Sequence, residues 1–320
     1  MKPTRWLRAL LAALAALAAA IGLTAASPSS ARAQTGMTWT VQVGSESPNH
    51  SLQGMNYGPN EVWINVGDTV HWVAKSMEIH TVSFINAEHP LADFAPGSPQ
   101  FGYEAFATSE RTISAPGEFR NSGIMATMPI DVLPVPTATS YDLTFTGPGD
   151  YTYYCYVHGA MMKGEVHVRP TGTAYPHTQQ WYTAQAAMGR AAVIADLEAL
   201  KAHTLTAAAA HRVFVGASDD MGFVMSFIRK NVTVHVGESV TFDLGRNAFP
   251  VPHTVTFGPD PTNPLEPTGD PSHYSGGSLS SGVLVPPLTY TVTFTKAGSY
   301  DYRCLIHDGM GMVGTVNVVS

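Results

Sequence analysis

Apolar and polar positions alternate with a period of two in two well-separated stretches of the chain. Val62, Ile64 and Val66 alternate with Trp63 and Asn65, a Gly67-Asp68 turn follows, and Thr69 to Val73 reads as a second strand. Far downstream, Val232, Val234 and Val236 alternate with polar neighbours before Gly237-Glu238. "TFTGPGDYTYYC", ending at Cys155, and "TFTKAGSYDYRC", ending at Cys304, each read as strand, glycine turn, strand. A helical period replaces this pattern over the alanine-rich stretch 179–212, where Val193, Ile194, Leu197 and Leu200 share one face. Short strands with frequent turns, and no regularly interleaved helices, predict an all-β chain with one antiparallel β-sandwich in each half and a helical linker between them.

The two halves are copies of one another. "YDLTFTGPGDYTYYC" (Tyr141 to Cys155) aligns without a gap on "YTVTFTKAGSYDYRC" (Tyr290 to Cys304), at an offset of 149. "VWINVGDTVHW" from Val62 matches "VTVHVGESVTF" from Val232, and each leads to a His-Thr-Val-x-Phe run, at His80 and His253. Three ordered matches mark an internal duplication. The first copy is longer, with 75 residues from His80 to Cys155 against 51 from His253 to Cys304; the excess lies in a Pro/Gly-rich loop region around Pro90 to Pro136.

The amino terminus has a different character. Lys2, Arg5 and Arg8 precede 13 unbroken apolar residues, Ala9 to Ile21, and Ala31-Arg32-Ala33 offers a small-residue cleavage site. This is the pattern of a secretory signal peptide over 1–33. Its apolar run falls short of the roughly 20 residues that span a bilayer, so no stable membrane insertion is expected after cleavage. The expected layout is therefore a signal peptide (1–33), a first domain (37–170), a helical linker (171–212) and a second domain (213–320). The expected location is the periplasm or the outer, cell-surface side of a bacterial or archaeal membrane.

Cleavage would remove four basic residues and no acidic one, leaving 13 basic against 24 acidic residues and moving the net charge from −7 to −11. Such a surface repels phosphate backbones, which argues against nucleic acid as a partner. An exported chain with two cysteines has the option of one disulfide. Here each cysteine sits in its own copy of the same motif, a poor arrangement for a mutual bridge.

That motif carries the chemistry. Cys155 is followed by His158 and then Met161 and Met162; Cys304 is followed by His307 and then Met310 and Met312. Thiolate, imidazole and thioether form a soft ligand set suited to copper cycling between Cu(I) and Cu(II). Two histidines and a cysteine with a weak axial methionine define a blue-copper electron-transfer site. The repeat supplies the missing histidine at equivalent places, His80 and His253. On these residues the sequence resembles the cupredoxins, the plastocyanin and amicyanin family of small blue-copper proteins, once per half.

The resemblance implies Greek-key cupredoxin-like domains and two type-1 copper ions per chain. It implies the ligand sets His80, Cys155, His158 and Met162, and His253, Cys304, His307 and Met312. Met161 and Met310 compete for the axial position, but the Met-x-Gly frame and the strand that follows favour Met162 and Met312. The second loop has plastocyanin spacing, while the first is one residue shorter between histidine and methionine. By the same resemblance, His158 and His307 would present an edge near the surface. Gly159, Ala160 and Met161, and Pro250, Pro252, Gly309 and Met310, would form docking patches beside them.

Two-domain copper nitrite reductases and multicopper oxidases are built from such modules, and they compete with the carrier reading. They use His-x-His pairs and a histidine directly before the type-1 cysteine. This chain has no His-x-His, and Tyr154 and Arg303 precede its cysteines. A copper-binding or delivery protein is a third possibility, though the Met- or His-rich tracts such proteins carry are missing. The sequence thus predicts an exported electron carrier, not an enzyme, that meets a redox protein donor and acceptor transiently. The remaining histidines, among them His71, His167 and His235, read as structural or surface residues. Tyr151, Tyr153, Tyr300 and Tyr302 read as sandwich core.

Overall fold

The computed structural model describes residues 36–91, 107–128, 136–247 and 251–320. The proposed signal peptide lies outside the described residues. Residues 36–320 form one compact unit.

The first half contributes β1 (Thr38–Glu46), β2 (Leu52–Gly58), β3 (Glu61–Asn65), β4 (Thr69–Ala74) and β5 (Ser83–Phe84). The long insertion, expected as loop, contains among its described residues the two-residue strands β6 (Thr112–Ile113), β7 (Arg120–Asn121) and β8 (Ile124–Met125), and β9 (Thr137–Ala138) follows it. Its stretches 92–106 and 129–135 lie outside the described residues. Then follow β10 (Ser140–Phe145), β11 (Gly149–Cys155) and β12 (Gly159–Arg169). Helix α1 (Gln179–Thr206) leads to the second half: β13 (Arg212–Ser218), β14 (Gly222–Ile228), β15 (Asn231–His235), β16 (Ser239–Asp243), β17 (Thr256–Phe257), β18 (Pro267–Thr268), β19 (Leu279–Ser281), β20 (Thr289–Thr293), β21 (Gly298–Arg303) and β22 (Val313–Val319).

Each half is a two-layer sandwich. In the first, β2-β1-β4-β10-β6 faces β3-β12-β11-β5-β7; in the second, β20-β16-β13-β14 faces β15-β22-β21-β17-β19-β18. The alternation seen in the sequence is the inward face: Val62, Ile64, Val232 and Val234 are all buried. A further repeat escaped the sequence comparison. β1 runs parallel to β4 and antiparallel to β2 with a bulge at Gly44, while β13 runs parallel to β16 and antiparallel to β14 with a bulge at Gly216.

The two sandwiches are fused. β2 pairs with β14, Gly54 opposite Gly222 and Gln53 opposite Phe223, so a single nine-stranded sheet runs through both halves. Met55 N–H donates to Met221 O at 3.0 Å and Met225 N–H to Ser51 O at 2.8 Å, extending the pairing on either side. Glycine is required at this crossing, because a Cβ on Gly222 would collide with the carbonyl oxygen of Gln53.

Helix α1 seals the seam. Thr178 caps it by accepting from Trp181 N–H at 3.2 Å. Its buried Val193 and Leu197 pack with Leu52 of β2 and with Phe214, Ala217, Val224 and Ile228 of the second half. Each such burial stabilises the junction by about 1.5–3 kcal/mol. Ile194 and Leu200, expected on the same face, are partly buried there. Among the described residues, no helix is long and apolar enough to cross a membrane.

Candidate metal centres

Both upstream histidines are clamped by backbone. His80 exchanges hydrogen bonds with Met125 (2.9 and 2.7 Å), and His253 does the same with Leu284 (2.9 and 2.7 Å). The threonine after each histidine ties the two halves of the site together. Thr81 N–H donates to Cys155 Sγ at 3.3 Å while Thr81 Oγ1 accepts from Tyr156 N–H at 2.8 Å. Thr254 repeats this with Cys304 Sγ (3.3 Å) and Leu305 N–H (2.8 Å). The recurrent His-Thr-Val run is therefore a histidine plus the clamp that fixes the cysteine.

The chain brings one ligand-type atom from each of His80, Cys155 and His158 within 4.8 Å of one another, and likewise from His253, Cys304 and His307. Cys155 Sγ lies 3.4 Å from His158 Nδ1. In the second cluster Cys304 Sγ is 3.5 Å from His307 Nδ1 and 3.8 Å from His253 Nδ1, and the two Nδ1 atoms are 3.1 Å apart. A first-row metal such as zinc, held about 2.0–2.3 Å from N and S ligands, sets those atoms roughly 3.3–3.8 Å from one another at tetrahedral to trigonal angles. The observed spacing is close to that of a metal cage. Both cysteines are buried and neither is in a disulfide.

Burial prepares the donors. His80 is pushed down to about 3 and His307 to about 4 by loss of water, which keeps both rings neutral and able to coordinate. His158 and His253 are also lowered, chiefly by burial and secondarily by the neighbouring imidazole. Burial raises the Cys304 thiol against the opposing pull of hydrogen bonds from Thr254, Ile306 and His307. A bound metal overrides this by taking the thiolate directly. His80 Nδ1 has no hydrogen-bond partner among the described residues, whereas its Nε2 meets Ser76 Oγ at 2.9 Å. A buried, unpartnered nitrogen beside a thiol and a second imidazole is the donor set that a soft metal satisfies.

Met162 and Met312 are buried at 1% and 0% exposure, each in the apolar cluster that holds the cysteine of its own half. Met161 is partly buried. The glycine of the Met-x-Gly frame has a local reason: a Cβ on Gly164 or Gly314 would run into the ring of Tyr153 or Tyr302 on the facing strand. Those tyrosines are buried, as is Tyr151, while Tyr300 is half-buried. The loop-length difference also has a structural form. The extra residue of the second loop forms a 3-10 turn, Asp308–Met310, ended by Gly311 at φ 80°. In the first loop β12 starts at once, with Gly159 opposite Cys155.

One expectation fails. His158 and His307 are only 2% and 4% exposed, so both rings are nearly closed off from solvent. His158 is covered by Phe223 of the second half, with ring centroids 5.3 Å apart and an edge-on contact. The expected docking patches are broken up accordingly. Met310 is buried in the first half's apolar cluster and Gly159 is buried too; Ala160, Pro252 and Gly309 are exposed, and Pro250 lies outside the described residues.

Sequence reasoning also missed two features of the sites. Glu78 is a buried carboxyl whose Oε1 stands 3.8 Å from His158 Nε2, and burial pushes it up to about 7. Gly44 and Gly216, at φ +70° and +75°, back onto His80 and His253 from the bulges of β1 and β13. The paired runs Val43-Gly44-Ser45 and Val215-Gly216-Ala217 were the available signal for these glycines. A third group, Glu61, Glu165 and His167, is half-buried to exposed. His167 there bonds Asp150 at 2.7 Å and stacks on Trp63, in keeping with its reading as a structural residue.

Known proteins are similar to this chain. The sequence model of the copper-binding plastocyanin/azurin family matches residues 46–169 and 213–319. Plastocyanin of Sambucus nigra is 37% identical over 94 residues, covering 29% of this chain and 88% of the plastocyanin. The chloroplastic plastocyanin of Chlamydomonas reinhardtii is 35% identical over 137 residues, covering 42% and 85%. Among solved structures, the Cu(I) form of an amicyanin variant aligns at 25% identity over 36% of this chain and 89% of its own, with a TM-score of 0.23. The matched regions make up more than half of the chain, and each contains one His-Cys-His cluster. The protein belongs to the plastocyanin/azurin family of copper-binding proteins, with two such domains in tandem.

Proposed function

We propose that the chain is an exported electron-transfer protein with one type-1 copper in each half. The ligands would be His80, Cys155, His158 and Met162 in the first site, and His253, Cys304, His307 and Met312 in the second. The observation that carries this reading is the duplicated, buried His-Cys-His cluster at metal-cage spacing. Burial of Met162 and Met312 beside their cysteines supports them as axial ligands. Met310 packs into the other half's cluster, which speaks against it.

Copper in such a site supplies a one-electron couple. The protein's part is to hold the donors still: backbone clamps on both upstream histidines, threonine clamps on both thiols, and a cage closed by β12 or by the 3-10 turn. A cage fixed in this way needs little rearrangement as the charge changes. Export rests on the sequence pattern of residues 1–33 and would place the protein in the periplasm or outside the cell, where donor and acceptor proteins meet it transiently. Oxidase or nitrite reductase turnover is not expected, because His-x-His pairs and a histidine before either cysteine are missing from the sequence.

Copper analysis with a visible spectrum tests the proposal. Two coppers per chain and an intense thiolate-to-copper band are expected, and Cys155→Ser and Cys304→Ser should each abolish one site and leave the other coloured. One copper per chain, or zinc retained in preference, would overturn the two-site reading.

A further inference from the structure

Two sites whose downstream histidines are both buried raise the question of what those histidines face. On the first site the answer is Phe223, a residue of β14 in the other half, itself only 2% exposed. Phe223 adjoins Val224, and the carbonyl oxygen of Val224 lies 3.1 Å from the point where a Cβ on Gly216 would stand. His253 Nε2 is 3.1 Å from that same point. His158, Phe223, Val224, Gly216 and His253 are therefore packed in sequence from one cluster to the other.

A second line of contact runs beside it. Met310, three residues after His307, and Val251, two residues before His253, are buried in the apolar cluster that contains Cys155, Met162 and Phe223. Met77 packs against that cluster, and its Cε lies 3.3 Å from the Cβ position of Gly309. The halves are held by β2–β14 hydrogen bonds and covered by α1, so the separation of the sites is fixed by the fold and not by a hinge.

We infer that the two copper sites exchange electrons directly within one chain, across the β2–β14 seam and through Phe223. The inference rests on the two-copper reading. The step would balance with the two coppers alone: the site built by His80, Cys155 and His158 and the site built by His253, Cys304 and His307 would exchange one electron, Cu(I) in one being oxidised as Cu(II) in the other is reduced, with no bond formed or broken. The medium suits it, because an apolar, close-packed seam has few dipoles to reorient when charge moves. An external partner then needs access to only one of the two sites.

Copper analysis comes first, since fewer than two blue coppers would overturn the two-site reading itself. With both present, pulse radiolysis delivers less than one electron per chain, and the spectra and midpoints of the two Cys→Ser variants identify which site holds it. Redistribution between the sites is expected at a rate independent of protein dilution, and it should be lost in an equimolar mixture of the two single-site variants. Phe223→Leu, or Phe223→Met should the first not retain both coppers, should slow it. Pulsed EPR of the fully oxidised protein should show dipolar coupling between two Cu(II) ions that vanishes in each single-site variant. A rate that scales with concentration, an unchanged rate in the Phe223 variant, or two blue coppers without coupling would overturn the inference and leave the two-site reading standing.

Discussion

Gly44→Ala should damage the first metal site far more than Gly216→Ala damages the second, although the two glycines occupy equivalent bulges. Both have positive φ, which costs an alanine about 1–2 kcal/mol. The surroundings differ. A methyl on Gly44 would collide with Ser76 Oγ and His80 Nε2 and lie 2.8 Å from His80 Cδ2, whereas on Gly216 its nearest neighbours are at 3.1 Å. Relieving the first collision means breaking the Ser76–His80 hydrogen bond, worth about 1 kcal/mol, and overpacking the pocket by about 1–3 kcal/mol. The total is about 3–6 kcal/mol for Gly44→Ala against about 1–2 for Gly216→Ala. This strain has two outlets. If His80 stays, the metal-free protein is destabilised; if it moves, copper binding at the first site weakens, by roughly 30- to 1,000-fold if all of the excess falls there. Urea unfolding of the metal-free protein and competitive copper titration of each single-site background measure both outlets. Equal effects of the two substitutions, or a Gly44→Ala protein unchanged in stability and copper affinity, would refute the reasoning.

Glu78→Gln should flatten part of the pH dependence of the metal-free protein. Folded Glu78 keeps its proton up to about pH 7, against 4.5 when unfolded, so the folded state binds more protons in that window and wild-type stability falls as pH rises through it. The difference is about 3 kcal/mol, and matched urea titrations at either end of the window would expose it; parallel curves for the two proteins would refute it. In the copper-loaded protein the same substitution should raise the first site's midpoint above about pH 7, where the Glu78 carboxyl beside His158 is ionised and favours Cu(II); a redox titration of the Cys304→Ser background at that pH checks the sign. The two midpoints should also be unequal in the wild type, given the different loop lengths and the valine, Val251, at the position equivalent to Glu78. Gly222→Ala should loosen the seam by about 1–3 kcal/mol through its collision with Gln53, read as faster hydrogen exchange at Met55 and Met225; unchanged exchange there would count against the close-packed seam.

The chemistry and the fold class were legible in the sequence because both depend on local, periodic information. Strand alternation writes the inward face of each sandwich, and three of the four proposed ligands in each half come from one short loop, so their spacing alone brings them together. The upstream histidines could be found only because the duplication marked them twice. The pairing of β2 with β14 lay beyond such reasoning. "GFVMSFI" is buried at every position, as befits a strand covered on both faces, but an apolar run does not say what covers it. That depends on register between strands about 170 residues apart and on a helix laid across them. Tertiary structure alone therefore decided that His158 faces Phe223 instead of solvent, that Glu78 loses its water and holds its proton, and that Gly44 and Gly216 back the histidines. Each of these follows from long-range close packing, in which an atom's neighbours are set by the whole fold and not by its place in the chain.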